Sequence, residues 1–205
     1  MLFDIHVHTT LSACSCLTLN EILENAGRLG LQGVCITDHQ TMAVRRRLRE
    51  GVQPNGLCVL FGMEYSTPQG DFLLFGPHDN LPAGLSAGEL MRLVRQSAGV
   101  AVAAHPCRLS RPLDERLLRS GYRPIIETLN GRSTAAENAA AADLAARHGL
   151  TTTCGGSDAH ALQELGRFAT RFSAPIRSRS DLIQALQGGK GRPVAMSDTS
   201  LALAV

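Results

Sequence analysis

The chain has no tryptophan, only two tyrosines and six phenylalanines, so it offers no aromatic platform on which single-stranded bases could stack. Lysine is scarcer still. Lys190 is the only one, and arginine carries nearly all of the positive charge. A net charge of +2 is too mild for a general nucleic-acid binder, so no stable nucleic-acid partner is expected. No apolar run approaches the roughly 18 residues of a membrane-spanning helix, and no fixed-period repeat or low-complexity linker is present. Met1-Leu2-Phe3-Asp4-Ile5-His6 enters a strand-like segment at once, so no secretory leader is expected. The cysteines at 14, 16, 35, 58, 107 and 154 include several inside apolar runs, such as Val34-Cys35-Ile36 and Leu57-Cys58-Val59. Such positions suit reduced, buried thiols. These absences together suggest a soluble, cytoplasmic protein.

What is present is material for one substantial core: 205 residues, 44% of them hydrophobic. Short apolar runs alternate with amphipathic stretches. Strands are expected at 2–7, 33–37, 58–63, 72–75, 100–104, 124–129 and 151–154, with 57–63 and 70–76 close enough for a hairpin-like excursion. Helices are expected near 18–30, 41–50, 86–98, 113–120, 134–148 and 179–188. Thr18 with Glu21, and Ser86 with Glu89, have capping-box spacing, and Gly30, Gly99 and Gly149 stand where helices stop. This alternation argues for parallel βα units, closed into a small barrel or left as an open doubly wound sheet. The domain is expected over 1–189, with 190–205 as a docking or partly disordered tail.

The histidines carry the functional signal. His6 and His8 close the first strand, His39 the second and His105 the strand 100–104, while Glu64 follows the third and Asp158 with His160 follows Gly155-Gly156. In a parallel α/β architecture strand C-termini share one face, where active sites are built. His6-Val7-His8 places two imidazoles on one side of a strand, and Asp158-Ala159-His160 repeats the spacing with a mixed pair. So many imidazole and carboxylate groups exceed the needs of one tetrahedral ion. They suit two to three divalent ions such as Zn²⁺, Mn²⁺ or Fe²⁺.

Five ordered motifs resemble the PHP (polymerase and histidinol phosphatase) family. They are Asp4-Ile5-His6-Val7-His8-Thr9, Ile36-Thr37-Asp38-His39, Gly62-Met63-Glu64, Ala104-His105-Pro106 and Gly156-Ser157-Asp158-Ala159-His160, with a similar Ile-Glu…Asn-Gly-Arg stretch at 126–132. The resemblance implies a distorted seven-stranded, TIM-like (β/α)7 barrel, up to three ions at its C-terminal face and phosphoester hydrolysis. It also implies metal ligands at His6, His8, His39, Glu64, His105, Asp158 and His160. Two positions depart from the family. Ala13 stands where many members carry Asp or His, with Cys14 beside it as an alternative thiolate ligand or a loop cysteine without that role. Asp71 replaces a histidine and keeps an oxygen ligand for a third ion.

Several residues read as supports or substrate contacts. Asp38 reads as an orienter of a ligand imidazole, and Glu127 as a strand brace that could also reach the metals. Arg108 and Arg132 are candidate phosphate clamps. The cluster Arg45-Arg46-Arg47 with Arg49 reads as a solvated helix face. His78 and His148 fit no strand-end pattern. The expected activity is a hydrolase, a metal-dependent phosphoesterase in which clustered ions supply hydroxide at neutral pH. His39 or His160 is the candidate proton donor, Arg108 stabilises charge, and a small phosphomonoester or nucleotide is the substrate. The alternatives are exonuclease action on short oligonucleotides and a non-catalytic metal-binding module.

Overall fold

Capping boxes start the helices where the sequence places them. Thr18 accepts from the Glu21 N–H and Ser86 from the Glu89 N–H, while each glutamate reaches back to its cap. Thr134 with Glu137 and Ser178 with Asp181 do the same. The computed structural model describes residues 1–196. In chain order the elements are β1 (Leu2–Val7), α1 (Leu19–Asn25), β2 (Gly33–Ile36), β3 (Gly51–Val52), β4 (Cys58–Phe61), β5 (Met63–Thr67) and β6 (Gly70–Phe75). There follow α2 (Ala87–Gln96), β7 (Val100–Ala103), α3 (Arg116–Arg119), β8 (Ile125–Asn130), α4 (Ala135–Arg147), β9 (Thr153–Gly156), β10 (Phe168–Phe172), α5 (Arg179–Gln187) and β11 (Gly191–Ala195).

The strands form two sheets, ordered β11-β10-β1-β2-β4-β3 and β5-β6-β7-β8-β9. β1, β2 and β4 run parallel, as do β7, β8 and β9, and β5–β6 is an antiparallel hairpin. The expected mixed α/β fold is present, without one continuous closed ladder among the described residues. The ladder runs as two sheets, and isolated parallel bridges at Val7–Ala159 and His39–Glu64 link them. The physical break is at Gly62. A Cβ there would lie 2.6 Å from the Leu74 carbonyl oxygen, so the chain passes close to β6 as it leaves one sheet for the other. The single strand expected over 58–63 is therefore β4 and the start of β5.

Two further details concern local structure. The helix expected at 41–50 is only a 3₁₀ turn at Ala43–Arg46. The 190–205 tail begins as an ordered edge strand, because Gly191–Ala195 pairs antiparallel with β10. Residues 197–205 lie outside the described residues.

Two apolar clusters hold the fold. One joins inward side chains of both sheets, including Phe3, Ile5, Leu60, Leu73, Phe75 and Val102, to α5 through Leu182 and Leu186. The other packs the opposite strand faces, among them Val34, Val59, Leu74 and Ala103, beneath α1, α2 and α4. Period-2 alternation then places polar groups beside the inner cluster. Asp71 shares its strand face with Leu73 and Phe75, and Glu127 shares one with Ile125.

Candidate metal centre

Buried polar atoms converge where the parallel strands end. His6 and His8 are fully buried, Glu64 is 1% exposed and Asp158 2%. One ligand atom from each of these four lies within 4.8 Å of all the others. Glu64 is shared between positions: its Oε2 lies 3.5 Å from His6 Nε2 and 3.3 Å from His8 Nε2, while its Oε1 lies 2.9 Å from His105 Nε2. Two more groups adjoin the first, namely Glu64 with Asp71 and His105, and His8 with His39 and His160.

These atoms fit metal ions better than they fit one another. His6 Nε2, His8 Nε2 and Glu64 Oε2 are buried without a hydrogen-bond partner, a costly state unless a further ligand satisfies them. A set of imidazole nitrogens and carboxylate oxygens is the donor chemistry of Zn²⁺, Mn²⁺ and Fe²⁺ sites.

The surrounding side chains fix which nitrogen faces inward. Glu127 Oε1 lies 3.0 Å from His6 Nδ1, leaving Nε2 for the cluster, and Glu127 Oε2 accepts from the His105 backbone N–H and from Asn130. The His160 Nδ1–H donates to the Asp158 carbonyl at 2.8 Å. His8 Nδ1 lies 3.3 Å from Ser12 Oγ, and that hydroxyl donates to Asp38 Oδ1 at 2.7 Å. Asp38 therefore orients a ligand imidazole through Ser12, a relay the sequence half disclosed.

Charge balance follows the same geometry. Burial alone would lower the His6 imidazole, but Asp158, Glu127 and Glu64 outweigh it and hold it well above the ordinary value. His8 is raised too, as the adjacent Asp158 and Glu64 carboxylates outweigh burial. His160 goes the other way: burial and the neighbouring His8 lower it to about 4, so it is a neutral nitrogen donor at pH 7.

Other expected site residues fall unevenly. Asp71 reaches its group but binds Arg111 Nε through Oδ1 at 2.6 Å. Cys14 is exposed and stands at the rim of the cavity, outside all three ligand groups; burial nonetheless raises its thiol, so it is no ready thiolate. Arg108 donates to both Asn130 Oδ1 and Asp158 Oδ2 at 2.7 Å, and Arg132 lines the same cavity. Arg45 pairs with Asp79, His148 meets Glu115, and His78 is buried away from the cluster. The sequence reading missed Ser12, Asn130, Asp4 and Arg111. Asn130 was within reach, inside the Asn130-Gly131-Arg132 stretch. Buried Asp4, pushed up to about 6 by desolvation, accepts backbone N–H bonds from Ser157 and Gly166 that hold the following loop.

Comparison with known proteins places the chain in a family. The PHP domain model matches residues 4–154, and the PHP-associated model matches residues 135–190. A Methanocaldococcus jannaschii protein named only as uncharacterized, MJ1587, is 28% identical over 113 residues, which cover 50% of this chain and 66% of that one. PsfC from Pseudomonas syringae superposes with a TM-score of 0.76 at 22% identity, covering 98% of this chain and 93% of its own. A Bifidobacterium adolescentis protein whose metal-dependent phosphoesterase activity is inferred gives a TM-score of 0.63 at 20% identity, covering 77% of this chain and 87% of its own. With the family's motifs gathered into one buried cluster and its model matched over most of the chain, this protein belongs to the PHP domain family.

Proposed function

We propose that this protein is a metal-dependent phosphoesterase acting on small phosphorylated substrates. The observation that carries the reading is the convergence of unpartnered His6 Nε2, His8 Nε2 and Glu64 Oε2, with Asp158 beside them, in a PHP-family chain. His6, His8, Glu64 and Asp158 would hold one ion, and Glu64, Asp71 and His105 would hold a second. The three-histidine group is the weakest position, since the His39 side chain is 39% exposed. Divalent ions bound there supply a water of lowered pKa and positive charge beside the phosphate.

The chain's own residues do the rest. Glu127 and Ser12 keep the His6 and His8 rings aimed inward. Arg108 steadies Asp158 and Asn130, and its guanidinium lines the cavity as positive charge beside the phosphate. His160 stays neutral and is a poor acid, so His39, open to the cavity, delivers the proton to the leaving oxygen. The cavity of about 480 Å³ suits a small phosphate ester, with Arg132 at its edge.

The test is metal analysis of protein purified without chelator, joined to turnover of phosphomonoester and phosphodiester panels that include short oligonucleotides. Two or more ions per chain with phosphoester turnover are expected, and Glu64→Gln should lose both metal and turnover. Metal-loaded wild type that turns over no panel member would overturn the activity. Full metal content in Glu64→Gln would overturn the site.

A further inference from the structure

A second concavity lies at the other end of the strands that carry the metal centre. It holds about 500 Å³ and opens where β7 and β8 begin, at Val100 and Ile125, and just before β9, at Thr152. The same three strands lead, at their far ends, to His105, to Glu127 with Asn130, and to Asp158. The concavity is therefore separate from the ligand groups and shares none of their residues.

Its chemistry is one-sided. The floor is apolar, with Val94, Ile125 and Leu186 each nearly buried. Two guanidinium groups stand at the edge. Arg95 lies 5.0 Å from the centroid of the Tyr122 ring, and Arg123 donates to the His148 carbonyl. Neither is neutralised by a carboxylate, and no aspartate or glutamate lines the cavity among the described residues. An apolar floor with two unneutralised arginines complements a molecule with an apolar body and an anionic end.

We propose that this cavity is a second ligand site, selective for a small organic anion with an apolar body, such as a carboxylate, sulfonate or phosphate ester. Arg95 is held in place by its contact with Tyr122, so little side-chain freedom is lost when an anion binds. The proposal is independent of the metal centre, and its test reads binding rather than activity.

The probe is 8-anilinonaphthalene-1-sulfonate, titrated by fluorescence into the folded full chain with octanoate and octanol as competitors. Saturable binding of one probe per chain is expected, displaced by octanoate but not by octanol. Arg95→Gln/Arg123→Gln and, separately, Ser97→Trp, which would fill the cavity from a half-buried wall, should each weaken binding at least tenfold. Glu64→Gln should leave it unchanged. Circular dichroism of every variant confirms that the fold persists. No saturable binding to wild type, unchanged affinity in both cavity variants, displacement by octanol as effective as by octanoate, or loss of binding in Glu64→Gln would each overturn the proposal.

Discussion

Among the described residues, three non-glycine residues adopt positive φ: Gln40 at 56°, His105 at 30° and Asp158 at 54°. Two of them belong to the candidate ligand groups, and the third directly follows His39. Backbone in this region is held only where surrounding bonds enforce it. For His105 the enforcing bond is its N–H to Glu127 Oε2 at 2.8 Å. Glu127 thus fixes a ligand backbone and, through Oε1, the tautomer of His6. Glu127→Gln keeps the shape, but its amide cannot accept from His6, His105 and Asn130 together. Metal affinity should fall about 10- to 100-fold while the protein stays folded. Chelator competition measures this, and an unchanged affinity would reduce Glu127 to a strand brace.

Between elements, the decisive feature is the seam where the two sheets meet beneath the metal centre. Gly156 ends β9 against β1, and a Cβ there would stand 2.5 Å from the His6 Cβ and 3.0 Å from the His6 backbone nitrogen. Neither atom is the free end of a flexible chain. Gly156→Ala should therefore cost about 1–3 kcal/mol in urea unfolding and displace His6 enough to lower metal content. Gly27→Ala, with nothing within 4 Å of its new Cβ, is the matched control and should cost little. Equal stability of the two variants would show that the seam yields without strain.

Across the whole molecule, α5 and His78 pack at the end of the strands opposite the candidate metal centre. The His78 ring packs against Gly99, where a Cβ would lie 2.4 Å from Nε2, and that nitrogen is buried without a partner. Burial first, and then the Arg179 guanidinium, lower the His78 imidazole below its ordinary value, against a smaller opposing pull from Asp79. A folded-state value below the unfolded one means that stability is complete above about pH 6.5 and is lost as pH falls. Thermal unfolding should show wild type losing stability relative to His78→Asn as pH drops below that point. Parallel curves would exclude His78 as the source. No helix among the described residues is long and apolar enough to cross a membrane.

The sequence by itself determined most of the local elements and the inventory of candidate ligands. Caps such as Thr18 with Glu21 act within a few residues, so α1 and α2 were legible. The short apolar runs of β1 and β2 marked which strands lead to His6, His8 and His39. The family motifs named the chemistry because each is contiguous. Tertiary structure decided everything that depends on distance. No local pattern revealed that Glu64 is shared by two ligand groups, that Ser12 relays Asp38 to His8, or that Arg111 holds Asp71. Closure was undetermined for the same reason. Periodicity specifies which face of a strand is buried, but not which distant strand it meets, and Gly62 sends the chain into a second sheet only because Leu74 and Phe75 pack against it there. Cys14 sits beside the motif in sequence and outside the cluster in space, since the path of a loop is set by what it packs against and not by its neighbours along the chain.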